Sequence, residues 1–110
     1  MQPVKDHVEH TADQALLAEY QLLLAEAFGA KGEPSAERLF SEALDLIVRL
    51  AGPRADLEMR ANEHFADYLI KFAGRPLEAR KYILAANKVA IREGLESESI
   101  RLGMKTVLTY

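Results

Sequence analysis

The chain has 110 residues, 49% apolar and 28% charged, which suits one globular domain with a packed core and is too short for two. It has no cysteine, so a disulfide framework and a thiolate zinc site are both excluded. The formal net charge is −3, with five bases against nine acids in residues 1–55 and nine against eight in residues 56–110, so neither half is basic enough overall to hold a polyanion.

Residues 1–11 read as an N-terminal extension and residues 12–110 as the domain. The opening stretch lacks the apolar core of a signal peptide, and no run reaches the roughly 18 apolar residues of a membrane span. A cytoplasmic protein without a membrane partner is the expectation. His7-Val8-Glu9-His10, beside Asp6, sets two imidazoles three residues apart, a spacing that would suit zinc or nickel if His64 supplied a third ligand. Solvated histidines are the plainer reading, and no metal or cofactor is expected.

Thr11-Ala12-Asp13-Gln14 has the form of a capping box, which predicts a first helix from there to the Gly29–Pro34 region. Its apolar positions Leu16, Leu17, Tyr20, Leu24, Ala27 and Phe28 share one face, predicted inward, with Glu19, Leu22 and Glu26 opposite. Ser35 is a good N-cap for a second helix, inward at Ala36, Leu39, Phe40, Ala43, Ile47 and Leu50, outward at Arg38, Glu42, Asp45 and Arg49. Asp45 precedes Arg49 by four, the favourable order for an ion pair. Gly52-Pro53 stops this helix. A third runs from about Asp56 to Ala73 with Ala61, Phe65, Leu69 and Phe72 inward, and Gly74 caps it. Pro76 opens a fourth, inward at Ala79, Tyr82, Ile83, Ala86 and Ala90, ending near Gly94. Ser97 or Ser99 caps a fifth that carries Ile100, Met104, Val107 and Leu108. No segment alternates with the period of a strand, so the class is all-α.

Small and large residues recur along these helices. Ala25, Phe28, Gly32, Ala36, Phe40 and Ala43 match Ala66, Leu69, Gly74, Ala79, Ile83 and Ala86 at offsets of 41, 41, 42, 43, 43 and 43. A period of this size marks a stacked repeat, in which one unit buries its apolar face only against the next. Short joints suit antiparallel neighbours, which gives two helix–turn–helix hairpins and a C-terminal solvating helix.

The order small, large, turn glycine, small, large, small resembles the tetratricopeptide repeat. Leu24-Ala25 and Phe65-Ala66 stand where that family often has Leu-Gly, and Leu102-Gly103 restores the literal pair. The resemblance covers residues 12–110 and implies a TPR-like right-handed stack that binds a partner in the groove lined by the first helix of each hairpin. On this chain the groove positions are Glu19, Leu22, Glu26, Met59, Glu63, Asp67, Ile70 and Lys71. Glu26 and Asp67 replace the asparagines of carboxylate-clamp members, so a mixed apolar and basic protein or peptide segment is the better ligand.

Two alternatives are weighed against this interaction module. Lys81, Lys88 and Arg92, with Arg80, Arg101 and Lys105, form a basic stripe on helices four and five that would meet phosphates if the chain bound nucleic acid. No aromatics interleave with those bases, which argues against it. In the other alternative, Leu22, Met59 and Ile70 bury one another in a homodimer. Glu63-His64 invites an acid/base reading, since histidine titrates near neutrality. The chain nonetheless offers no phosphate-cradling loop after a strand and no serine elbow or cysteine nucleophile, and is read as a non-enzyme.

Overall fold

The computed structural model describes the backbone of residues 3–50 and 54–108, and side chains from residue 13 onward. The described residues form helices α1 (Pro3–Ala30), α2 (Ala36–Val48), α3 (Ala55–Lys71), α4 (Pro76–Arg92) and α5 (Glu96–Leu108), with no strand among them. Neighbours in sequence are neighbours in space: α1 meets α2, α2 meets α3, α3 meets α4 and α4 meets α5, and α1 also touches α3. The result is a thin layer of 55 × 34 × 16 Å. Its radius of gyration is 15.2 Å, against about 13 Å for a compact domain of this length, so helices have open faces that a rounder bundle would cover.

The helix ends follow local rules. Proline is tolerated in the first turn, where its missing N–H has no intrahelical acceptor, and both Pro3 and Pro76 stand there. The first helix therefore runs straight through Thr11 rather than starting at it. Gly32, Gly74 and Gly94 take φ of 72°, 63° and 71°, the left-handed conformation that lets a chain leave a helix. Glu33 N–H donates to the Phe28 carbonyl and Leu95 N–H to that of Ala90; at the end of α3 the closure is one residue wider, Arg75 to Leu69. That extra residue is where the repeat offset grows from 41 to 42. Ser35 is the residue before α2 but makes no side-chain cap bond, and α5 begins at Glu96, ahead of Ser97 and Ser99. Gly52 and Pro53 lie outside the described residues.

The core is alanine lined with aromatics. Phe40 of α2 stacks on Phe65 of α3 with centroids 5.3 Å apart, and Phe65 meets Tyr82 of α4 at 4.5 Å, so one aromatic column ties three helices together. Such pairs add about 0.5–1.5 kcal/mol each beyond their buried area. Ala36, Phe40, Ala43 and Ile47 are buried as predicted, as are Ala61, Phe65, Leu69, Ala79, Ile83, Ala86 and Ala90. Four of the six matched pairs are buried alike, and Gly32 and Gly74 share a positive φ; the sixth pair differs, Phe28 being 39% exposed where Leu69 is fully buried.

Three expectations are corrected. In α1 the buried face is Ala18, Leu22, Ala25 and Gly29, and the predicted inward face is the open one: Leu16, Leu17 and Tyr20 are all more than half exposed. The helix is apolar on two opposite sides, and the side with small residues wins because it lets α2 and α3 approach closely. The fifth helix behaves alike, burying Leu102 alone and exposing Ile100, Met104, Val107 and Leu108. Phe72, expected inward, is 43% exposed. On α2, Arg38 pairs with Glu42 at 3.5 Å, while Asp45 and Arg49 form no pair.

Candidate functional site

A cleft of about 170 Å3 lies where the end of α1 passes α3. Glu26, Gly29 and Ala30 of α1 form one wall. His64, Asp67, Tyr68 and Lys71 form the other, because spacings of three, four and seven residues put them on one face of α3. Phe40 and Phe72 complete the apolar floor. Gly29 matters here, since a β-carbon on it would stand 3.0 Å from the Phe40 ring. Tyr68 is fixed from behind by its hydroxyl, which donates to the Glu33 carbonyl at 3.0 Å, and its ring meets that of Phe72 at 6.0 Å.

The charged groups around the cleft are already committed. Arg60 grips Glu26 with two bonds of 2.5 and 2.8 Å, and His64 Nδ1 lies against the same carboxylate. Burial pushes the Glu26 carboxyl up, but the hydrogen bonds and charges of Arg60 and His64 outweigh it and leave the group below the usual carboxylate range. Asp67 pairs with Lys105 at 2.6 Å, and the Lys71 ammonium sits 5.3 Å from the centre of the Phe72 ring. One turn back along α3, Glu63 takes Arg101 of α5 at 2.5 Å and Lys105 at 2.8 Å. The Arg101 hydrogen bond is the main reason that its carboxyl is held down to about 2; burial opposes the shift and Lys105 adds to it.

These pairs have a common spacing. Glu26 to His64, Glu37 to Arg75, Glu63 to Arg101 and Asp67 to Lys105 each span 38 residues. An acid on one helix thus reaches a base on, or at the start of, the helix two further along the chain. Sequence reading missed this ladder because it compared like with like; the signal was acid followed by base at 38.

Of the eight residues expected to line a groove, the structure gathers Glu26, Asp67 and Lys71 in the cleft. Leu22 is a correction: it is fully buried, on the alanine side of α1, and has no surface to offer a partner or a dimer. Met59 is half-buried against the core, Glu19 half-buried and Glu63 half-buried beneath its two cations; Ile70 is 38% exposed but outside the cleft. Tyr68 and Phe72 were not foreseen as cleft residues, although their spacing from His64 and Lys71 would have shown it.

The basic stripe is mostly consumed as well. Arg92 pairs with Glu58 and Glu93, Arg101 with Glu63 and Glu98, and Lys105 with Glu63 and Asp67; Lys81 lies over the Tyr82 ring. The side chains of His7 and His10 lie outside the described residues, and among the described ones no three His, Asp or Glu groups come together as a metal site. No described helix is long and apolar enough to cross a membrane. No family model, curated protein or solved structure matches the chain.

Proposed function

We propose that this chain is a protein-interaction module of TPR-like build that receives a segment of another protein in the α1/α3 cleft. The observation that carries the reading is the cleft itself: an apolar floor of Gly29, Ala30, Phe40, Tyr68 and Phe72, with Asp67 and Lys71 at its rim. A preformed hollow with an aromatic floor and few polar groups is the usual form of a recognition site. It takes a large apolar side chain as anchor, and Lys71, which has no carboxylate partner among the described residues, donates to a backbone carbonyl beside it. The 38-residue ladder and the contacts between successive helices support a stacked repeat.

Glu26, Glu63 and Asp67 are neutralised by the chain's own cations, so the ligand is apolar in its anchor rather than basic throughout. A library of displayed peptides selected against the chain tests this. Enriched peptides should share one aromatic or aliphatic anchor and lose binding to Ala30→Trp, which fills the cleft from an exposed position. Failure to enrich, or binding indifferent to Ala30→Trp, removes the proposal.

A further inference from the structure

The α1/α3 cleft has a volume of about 170 Å3. Pockets that take a whole small ligand run to about 300–1,000 Å3, so this one admits a single large side chain and leaves the rest of a bound segment on its rim. That rim carries Glu26, His64, Asp67 and Lys71. Both carboxylates are satisfied within the chain: Arg60 and His64 hold Glu26, and Lys105 reaches over from α5 to take Asp67 at 2.6 Å. Asp67 stands four residues before Lys71, the position from which an acid ordinarily pairs with a lysine on a helix. Lys105 occupies it instead, and Lys71 is left without a carboxylate partner among the described residues.

The free ammonium is held where a ligand would meet it. Lys71 is exposed at the end of α3, and its Nζ lies 5.3 Å from the centre of the Phe72 ring, which is part of the cleft floor. An extended segment advances about 3.3 Å per residue, so a side chain within two residues of an anchor seated on that floor reaches Lys71. An ammonium has three N–H donors, and a bond to a ligand carbonyl leaves two for a second acceptor. In the turn after α1, Lys31 and Glu33 are both exposed, and their opposite charges two residues apart largely cancel at the cleft. The charge left to be matched is one positive charge beside the anchor. A second acid on the ligand would find no free cation there and would face the carboxylates of Glu26 and Asp67.

We infer that the segment received by the cleft carries one aspartate or glutamate within two residues of its apolar anchor, and that Lys71 selects it. This rests on the α1/α3 cleft being a peptide site and adds which peptides the site prefers. The pair is exposed, so it changes affinity by about two- to five-fold, and less as salt rises.

Selection from one library of peptides displayed on phage tests it. The peptides are placed inside the coat protein, so that no terminal carboxylate is present. Four proteins are used in parallel at low salt: the unaltered chain, Lys71→Gln, Lys71→Glu and Lys88→Glu. Lys88 is exposed on α4 and does not line the cleft, so its substitution alters net charge as much as Lys71→Glu does without touching the site. The unaltered chain and Lys88→Glu should enrich an apolar anchor with an acid beside it. Lys71→Gln should keep the anchor and lose the acid, and Lys71→Glu should keep the anchor and enrich lysine or arginine in that place. An enriched peptide synthesised with blocked ends should bind the unaltered chain about two- to five-fold more weakly once its acid is changed to the amide, and bind Lys71→Gln equally in both forms. An anchor enriched without an acid overturns the inference and leaves the cleft reading standing. An acid preference that survives Lys71→Gln, or is lost equally in Lys88→Glu, overturns it too, and failure to enrich any peptide removes both. Helical circular dichroism is the folding control, and if Lys71→Glu loses helicity the neutral Lys71→Gln decides alone.

Discussion

A β-carbon placed on Gly32 would stand 2.6 Å from Cδ1 of the Phe72 ring, whereas at Gly74, with nearly the same φ, it would meet nothing within 4 Å. Both glycines pay the left-handed conformation with their missing side chain, but only Gly32 also holds a second helix against its turn. Gly74→Ala should therefore cost about 1 kcal/mol from backbone strain alone. Gly32→Ala should cost about 2–4 kcal/mol, since the ring must also move. Urea titration checks this, and in a Phe72→Ala background the two glycine substitutions should become equal.

Phe40 is 1% exposed, stacks on Phe65 and forms part of the cleft floor. Phe40→Ala should lose about 3–5 kcal/mol through transfer energy and the cavity left behind. That is a large part of the stability of a small domain. The denaturation midpoint measures it, and a variant as stable as the parent would place the core elsewhere.

The two sides of α1 are separated by one comparison. Leu22→Asp puts a carboxylate at a fully buried position without a partner and should unfold the chain or cost several kcal/mol. Leu16→Asp, at a position 63% exposed, should change folding stability by no more than about 0.5 kcal/mol. Equal effects on the melting midpoint would mean that the buried face of α1 has been misidentified.

Acid should weaken the tie between α3 and α5 in a defined window. The Glu63 carboxyl is held at about 2 in the folded chain, against 4.5 when unperturbed. Its folded pKa is lowered, so its contribution is complete above about pH 4.5 and disappears as pH falls through 2. Glu63→Gln should accordingly be less stable than the parent at neutral pH, and the gap should close between those limits. Chemical denaturation of both proteins across that range is the measurement.

The legible parts of this fold were those that local chemistry dictates. Proline at position 76 and glycine at 32, 74 and 94 mark turns by backbone geometry alone, and the single apolar stripe of α2 leaves no choice of face. In α1 and α5 the sequence offers two apolar sides, and periodicity finds the axis without choosing between them. The choice was made by neighbours: Ala18, Ala25 and Gly29 let helices come close, and the larger Leu16 and Tyr20 do not. Glu26, Asp67 and Lys71 line the α1/α3 cleft, but the cations that hold Glu26 and Asp67 sit 34 to 38 residues away, beyond any helical spacing.

The central position of α3 shapes how the molecule comes apart. It touches α1, α2 and α4 directly and holds α5 through Glu63, while α1 and α2 have no close backbone approach to α4 or α5. When α5 or the first turns of α1 open, everything else stays in place; when α3 opens, the two ends have little left in common. Amide protons of α3 should thus exchange only as the whole chain unfolds, and those of α5 much sooner, so that a single set of exchange rates reads out a gradient of local stability from the middle of the layer to its edges.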